Sequence, residues 1–273
     1  MQIVSGGVSD VGRVRTNNED AFRIVEPQNL FILSDGMGGE AHGEVASAMA
    51  VETIAKFCND QQESKEDSRV TLHGAVLDSW SAQTKKLQNA VFQANFAIYK
   101  AAQEHPEQRG MGATLTAGWI NGSKLSLAHV GDSRAYLLRS GGLQQLTSDH
   151  SLVAEQVRRG IITPQQAEES EMQSVLLRAL GAHAEVDVDM EEVHLIPRDL
   201  LLFCSDGLTR MVTEPEIAGV LQSETDPGSA AKKLVDLANE RGGMDNVTVV
   251  VARIQEESKG WFSWLRRDSG KKE

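Results

Sequence analysis

The order in which strand and helix patterns follow one another limits the folds open to this 273-residue chain. Short apolar or alternating runs predict strands at residues 3–8, 21–25, 30–33, 114–120, 124–130, 134–139, 186–196, 200–204 and 247–254. Two segments, residues 44–57 and about 80–104, have apolar residues at the spacing of long helices. Because strands and helices do not alternate regularly, we predict an α+β fold of largely antiparallel sheets covered by helices.

Three shorter helices are predicted from their start signals. Thr163 and Thr213 each stand three residues before Gln or Glu, which is the spacing of a capping box, and Asp226 precedes a proline. Residues 59–72 are polar and predict a loop between the two long helices. No composition change marks a boundary before residue 255, so we expect one domain over residues 1–254 and a separate tail over residues 255–273.

The chain has a formal net charge of −12 at pH 7, which argues against binding to nucleic acid because proteins that bind its phosphates concentrate Lys and Arg. An acidic body would also repel a phosphorylated substrate unless bound cations reversed the local field. The two cysteines, Cys58 and Cys204, are too few for a disulfide framework. With no secretory signal pattern and no apolar run near the ~20 residues of a membrane span, we expect a cytoplasmic protein.

An aspartate follows the end of a predicted strand at several places. Asp35 and Asp206 each follow a strand and a serine and precede a glycine, and Asp132 stands between a glycine and a serine after another strand. Three more carboxylates directly precede predicted strands: Glu19, Asp20 and Asp245. A single Asp-Gly pair is typical of a turn. Its repetition predicts several carboxylates held on rigid strand ends.

Carboxylates that crowd together repel one another and stay ionised only if cations lie between them. Oxygen ligands select hard cations such as Mg²⁺ and Mn²⁺, and the lack of a side chain at Gly36 would let a backbone carbonyl approach a metal. Two such ions ~3.5–4 Å apart would bridge a water, lower its pKa and direct it at phosphorus, so the pattern predicts a hydrolase of phosphate esters. A guanidinium group would bind the phosphate. Arg15, four residues before Glu19, is the first candidate for this contact and Arg13 is the second.

These residues fall in short motifs that resemble those of the metal-dependent protein phosphatase family, type 2C, in its bacterial form. The matching blocks lie in the same order between about residues 5 and 254: Arg15-Thr16-Asn17-Asn18-Glu19-Asp20, Asp35-Gly36-Met37-Gly38-Gly39, Gly112-Ala113-Thr114, Gly131-Asp132-Ser133-Arg134, Ser205-Asp206-Gly207 and Asp245-Asn246. The resemblance implies metal-dependent hydrolysis of phosphoserine and phosphothreonine in proteins. It also implies a central antiparallel β-sandwich flanked by helices on both sides.

The resemblance implies roles for individual residues. Arg15 would bind the phosphate, and Glu19 and Asp20 would hold metal-bound waters. Two core Mn²⁺ or Mg²⁺ ions, with a possible third, would be held by Asp35, Gly36, Asp206, Asp245 and Asp132, of which Asp132 would reach the third ion. Residues 147–172 would form a mobile flap beside the site. The substrates would be proteins phosphorylated by a serine/threonine kinase, and we expect the enzyme to be a monomer.

The general acid is not identified by the resemblance. Bacterial relatives often have a histidine just after the double glycine, where this chain has Glu40, and eukaryotic relatives have one where it has Met37. His42, seven residues after Asp35, is the histidine nearest the metal motif and is our hypothesis for the acid. A metal-bound water is the alternative source of the proton, and His42 would then be a solvent-facing helix residue.

Two other functions are compatible with parts of the sequence. Residues 204–210 have the Cys-x-x-Gly-x-x-Arg spacing of cysteine-dependent phosphatases, with Cys204 as the nucleophile and Arg210 as the phosphate ligand. A non-catalytic regulator that binds phosphoproteins would be marked by a missing metal aspartate, which is not the case here. The aromatic and basic segment 260–267 predicts either a membrane-surface or partner-docking segment or a terminus packed on the domain.

Overall fold

A computed structural model describes residues 1–38, 42–60 and 80–256 of the chain. The strands of this part are β1 (Gln2–Asp10), β2 (Asp20–Val25), β3 (Leu30–Met37), β4 (Gly112–Ala113), β5 (Leu115–Asn121), β6 (Lys124–Val130), β7 (Arg134–Arg139), β8 (Gly142–Gln145), β9 (Asp189–His194), β10 (Leu200–Cys204) and β11 (Val247–Gln255). One sheet has the order β1-β11-β10-β7-β8, and the other has the order β2-β3-β5-β6-β9 with β4 paired to β3. The strand pairs are antiparallel in both sheets.

The two sheets pack face to face because each turns one apolar face toward the other. Phe31 on β3 and Phe203 on β10 stack across the interface, with ring centroids 5.9 Å apart. Buried aliphatic side chains extend this inner core: Leu33, Ile120, Leu125, Leu127, Ala135, Leu137, Leu195, Leu201, Val250, Ala252 and Ile254. The antiparallel β-sandwich implied by the resemblance is therefore confirmed.

The described part of the chain contains seven α-helices, and four of them cover the outer faces of the sheets. The seven helices are α1 (His42–Asn59), α2 (Ala82–Glu104), α3 (Leu152–Arg158), α4 (Pro164–Glu168), α5 (Asp206–Thr209), α6 (Glu214–Ser223) and α7 (Pro227–Glu240). Helices α1 and α2 pack on the sheet that contains β3, through a core that includes Leu30, Ile54 and Leu87. Helices α6 and α7 pack on the other sheet through Leu202, Leu221 and Leu234. The predicted α+β class with helices on both sides is confirmed.

The structure differs from the predicted elements at several places. Strand β3 does not end at residue 33 but continues through Asp35, because Gly36 and Met37 pair with Ala113 and Gly112 of β4. Helix α1 begins at His42 rather than at residue 44, and β9 covers six residues of the predicted strand 186–196. Strand β8 and helix α5 were not predicted, and no start was predicted for α3. The capping box at Thr163 and the cap at Asp226 are both present.

Some predicted features lie outside the described residues. These are Glu40, residues 61–72 of the predicted loop, and the aromatic and basic segment 260–267. Asn59, the first residue of that loop in the prediction, is instead the last residue of α1. None of the helices described here has both the length and the apolar character needed to cross a membrane.

Candidate metal centre

Five aspartates predicted to act at a metal site lie at strand ends and turns at one end of the sandwich. Asp20 is the first residue of β2 and lies directly opposite Asp35 of β3 in the antiparallel register. Asp206 is the first residue of α5, directly after β10 and Ser205, and Asp245 lies two residues before the neighbouring strand β11. Asp132 lies in the turn between β6 and β7. The topology therefore brings carboxylates from both sheets to the same end of the molecule.

Buried hydroxyl groups hold these aspartates in place. Ser205 Oγ donates a hydrogen bond to Asp20 Oδ2 at 2.7 Å and accepts one from the Thr248 backbone N–H at 2.9 Å, so it links the two sheets. Thr114 Oγ1 accepts a hydrogen bond from the Asp35 backbone N–H at 2.9 Å. Sequence reasoning assigned no role to these hydroxyls. Ser205 could have been singled out as the small residue directly before Asp206, whereas Thr114 stands beside no aspartate in the sequence.

Two carboxylate oxygens of the cluster, Asp20 Oδ1 and Asp206 Oδ1, are buried and have no hydrogen-bond donor in the described part of the chain. A buried polar atom without a partner is destabilising by roughly 1–3 kcal/mol, and by more when it is charged. A cation would satisfy both oxygens, and carboxylate oxygen is the donor type that Mg²⁺ and Mn²⁺ prefer. The residues present therefore fit a site for divalent cations.

Burial and mutual repulsion raise the pKa values of the aspartates. The pKa of Asp35 is well above its usual value because the side chain is buried and because Asp20, Asp206, Asp132 and Asp245 surround it. Burial is also the largest cause that raises the pKa of Asp20 to about 7 and the pKa of Asp132 to about 7. The pKa of Asp206 is raised by burial and by the charge of Asp245. Full ionisation of the cluster near neutral pH therefore needs a compensating cation.

Two arginines supply positive charge at the edge of the cluster. Arg15 forms a bidentate pair with Asp245, with Nε 3.0 Å from Oδ1 and Nη2 3.0 Å from Oδ2. Arg210 Nη2 lies 2.5 Å from Asp206 Oδ2, and its Nη1 lies 3.6 Å from Asp245 Oδ2. With these pairs formed, no three carboxylate, imidazole or thiolate groups of residues 1–38, 42–60 and 80–256 lie at the spacing of ligands to one ion. A cation held by Asp206 and Asp245 would have to displace their guanidinium partners.

The beginning of α1 packs closely against β3 and against Glu19. A Cβ atom at Gly36 would lie 2.0 Å from the Gly43 carbonyl oxygen, so the glycine is required for packing whether or not its carbonyl also binds a metal. The Gly36 N–H donates to the Glu19 carbonyl oxygen at 3.0 Å. Burial raises the pKa of the Glu19 side chain, while the charges of Arg15 and His42 lower it. His42 is half-buried, and the next residue, Gly43, packs against the Glu19 carboxylate.

The structure contradicts a cysteine-dependent reaction. Cys204 is the last residue of β10, and its side chain is fully buried in the core between the sheet and α6 and α7. Burial raises the pKa of the Cys204 thiol to about 12, so the thiolate is not formed at neutral pH. Arg210, the predicted phosphate ligand of such a loop, is paired with Asp206 instead.

Residues 147–172, the predicted flap, lie beside the acidic cluster and contain α3 and α4. A cavity of about 1040 Å³, here called the flap cleft, has Asp132, Asp206 and Arg210 on one side. Val157 and Ala167 of the flap line the other side. The cleft thus leads from the flap to the candidate metal ligands.

The base of the flap is fixed to the turn that carries Asp132. The His150 N–H donates to the Gly131 carbonyl oxygen at 2.7 Å, and the Gly131 N–H donates to His150 Nδ1 at 3.1 Å. Arg134 donates to both carboxylate oxygens of Asp149, with Nη2 2.8 Å from Oδ2. Sequence reasoning did not single out His150 or Asp149 as anchors, because their contacts join segments that are distant in the chain.

Comparison with known proteins gives the same family as the sequence motifs. A family model described as Protein phosphatase 2C matches residues 12–239. A protein of Listeria welshimeri named Serine/threonine phosphatase stp is 37% identical over 255 residues, which cover 92% of this chain and 96% of that protein.

Solved structures agree with the sequence matches. The crystal structure of the serine/threonine phosphatase PstP/Ppp of Mycobacterium tuberculosis has a TM-score of 0.80 and 38% identity, and the match covers 93% of this chain and 99% of that one. The catalytic domain of PstP in complex with two manganese ions has a TM-score of 0.78 and 37% identity, with the same coverage. Because the family model matches most of the chain and these relatives align over nearly all of it, the chain belongs to the protein phosphatase 2C family of metal-dependent serine/threonine phosphatases.

Proposed function

We propose that the aspartate cluster is the metal centre with which this chain removes phosphate from phosphoserine and phosphothreonine in proteins. Asp35, Asp206 and Asp245, with the Gly36 carbonyl, would hold two core ions. The observation that carries the proposal is the group of buried carboxylates that raise one another's pKa and leave buried oxygens without donors. Mn²⁺ or Mg²⁺ bound there would supply Lewis acidity toward a phosphate ester.

Arg15 is proposed to bind the phosphoryl oxygens of the substrate. Its side chain is 54% exposed and already presents its planar fork to a carboxylate, which has the same geometry as two phosphoryl oxygens. When Asp245 binds a cation, this guanidinium becomes available to the substrate. Arg13 is the weaker candidate because its backbone N–H is bound to the Gly243 carbonyl and its side chain packs beside Gly243.

The remaining predicted residues surround this core. Asp132, which lines the flap cleft, is proposed to reach a third, weaker ion. Glu19 and Asp20 are proposed to orient water around the core ions. His42 is proposed to protonate the leaving serine or threonine oxygen, and the packing of the adjacent Gly43 against the Glu19 carboxylate supports this proposal.

The domain organisation, the substrates and the cellular compartment are also proposed. We infer a catalytic domain over residues 1–254, with residues 147–172 as a flap that moves relative to the metal centre. The substrates are phosphoproteins, for which a serine/threonine kinase supplies the phosphate, and the enzyme acts as a monomer in the cytoplasm. Two buried free cysteines support a reducing compartment.

The test is phosphate release from phosphoserine and phosphothreonine peptides in Mn²⁺, in Mg²⁺ and in EDTA. The wild type should be active only with metal, and Asp206→Asn should lose nearly all activity while keeping its circular dichroism spectrum. Cys204→Ala is the matched control and should stay active because its thiol lies outside the site. Hydrolysis in EDTA that depends on Cys204 would overturn the proposal, and metal-dependent peptide binding without hydrolysis would favour a regulator.

A further inference from the structure

Arg210 stands at the mouth of the metal centre, and the proposed reaction gives it no task. It directly follows α5, and its guanidinium contacts Asp206 and approaches Asp245. The side chain is 28% exposed and lines the flap cleft. The same guanidinium therefore faces candidate metal ligands on one side and the cleft on the other.

Among the described residues that line the cleft, the other cationic side chain is Arg134, and it is bound to different partners. Arg134 donates to both oxygens of Asp149 and to the Tyr136 hydroxyl, and neither partner is a proposed metal ligand. Metal binding leaves those contacts in place. Arg210 differs because its two carboxylate partners are the groups that the core cations would take, so it loses its partners and is repelled by the cations.

The rest of the cleft is acidic. Its lining includes four further carboxylates: Asp132, Asp149, Glu168 and Glu214. A cleft lined by these carboxylates repels anions except near a cation that has no carboxylate partner. An Arg210 released from Asp206 would therefore form one localised position for an anionic group in an otherwise unfavourable surface.

The distance from this position to the phosphate site is short. Arg15 Nη2 and Arg210 Nη1 both approach Asp245 Oδ2, at 3.0 and 3.6 Å. The two guanidinium groups are thus no more than about 7 Å apart at these atoms, which is the reach of roughly two residues of extended chain. A substrate whose phosphate lies on Arg15 would bring a neighbouring side chain to Arg210.

We propose that Arg210 is a specificity-determining residue that binds the carboxylate of an Asp or Glu beside the phosphorylated residue of the substrate. The inference rests on the proposed metal centre, because metal binding at Asp206 is what frees the guanidinium. This role of Arg210 adds a preference among phosphoprotein substrates that the hydrolysis reaction itself does not require.

The experiment compares kcat/KM for two phosphothreonine peptides that differ only in Glu or Gln at the residues flanking the phosphothreonine. The wild type should prefer the Glu peptide by about tenfold, the range of one charge-assisted contact. Arg210→Ala should reduce the preference to less than about twofold, and Arg210→Lys should keep part of it because the charge remains without the fork. The matched control is Arg23→Ala, which removes an arginine bonded to both oxygens of Glu52 far from the cleft and should keep the full preference.

Calorimetry with Mn²⁺ separates this role from a structural one. Arg210→Ala should bind the core ions at least as tightly as the wild type, because the guanidinium that competes for Asp206 is gone. Binding weakened by tenfold or more would show that Arg210 only orients Asp206, and this result would overturn the inference.

Four kinetic outcomes are decisive as well. An unchanged Glu preference in Arg210→Ala, or equal wild-type rates on the two peptides, would overturn the inference while the proposed phosphatase function stands. If Arg210→Ala lowered kcat/KM for p-nitrophenyl phosphate, which has no flanking residue, as much as for the Glu peptide, Arg210 would be assigned to the phosphoryl group instead. A wild type without metal-dependent hydrolysis would overturn the proposed function itself.

Discussion

Replacing Asp20 with asparagine is expected to stabilise the metal-free protein, although the residue belongs to the proposed metal centre. Asp20 is buried, its Oδ1 has no donor among the described residues, and its pKa is raised to about 7. Each unit of pKa shift corresponds to ~1.36 kcal/mol. A shift from 3.8 to about 7 means that ionised Asp20 lowers the free energy of unfolding by up to about 4 kcal/mol when no cation is bound.

The pH dependence follows from the direction of the shift. Because the folded pKa is the higher one, the folded state keeps a proton between pH ~4 and ~7 that the unfolded chain has lost. The metal-free wild type therefore loses stability as pH rises through this window. Asparagine has no charge at any pH, and its Oδ1 can still accept the hydrogen bond from Ser205. The advantage of Asp20→Asn should rise by about 3 kcal/mol between pH 5 and pH 8.

The assay is urea unfolding in EDTA, followed by tryptophan fluorescence at several pH values. Asp236→Asn is the control because its carboxylate is 48% exposed and pairs with Lys232 on the surface of α7, so its effect should stay within about 0.5 kcal/mol. Saturating Mn²⁺ should stabilise the wild type more than Asp20→Asn. An Asp20→Asn protein that is less stable than the wild type in EDTA at pH 8, or a gain that does not change with pH, would refute the reasoning.

Three further predictions concern catalysis. Arg15→Ala should mainly raise KM, because it removes a phosphate contact made in both ground and transition states, and Arg13→Ala should do less; steady-state kinetics with a larger effect from Arg13 would reverse the assignment. Asp132→Ala should lower kcat while calorimetry still detects the tighter core ions, and loss of all metal binding would make Asp132 a core ligand. His42→Ala should slow hydrolysis of a phosphoserine peptide by roughly 10²-fold and change that of p-nitrophenyl phosphate little, because nitrophenolate leaves without a proton; equal effects on both substrates would contradict a general acid.

Much of the fold could be predicted because its strands are buried on one or both faces and so have a clear apolar pattern. The elements that were not predicted from the sequence have no such apolar pattern. Strand β8 has a single aliphatic residue, Leu143, and lies at a sheet edge, while α5 has four residues. The extension of β3 through Asp35 depends on pairing with Gly112 and Ala113, which are remote in sequence.

In the candidate site too, features marked by a local sequence pattern could be predicted and contacts between remote residues could not. The grouping of Asp35, Asp206 and Asp245 could be predicted because each acid stands at or near the end of a predicted strand. The hydrogen bond from Ser205 to Asp20 could not be predicted, because it joins positions 185 residues apart in two different sheets. The pairing of Arg210 with Asp206 was also missed, since the local Cys-x-x-Gly-x-x-Arg spacing suggested different chemistry for that arginine.

The central claim is that the aspartate cluster binds the catalytic cations, and anomalous diffraction at the manganese edge tests it most directly. Crystals grown with Mn²⁺ should show two strong peaks enclosed by Asp35, Asp206 and Asp245, with the Arg15 and Arg210 guanidinium groups moved away from these carboxylates. Peaks located elsewhere on the protein, or carboxylates still paired with both arginines at saturating Mn²⁺, would contradict the account.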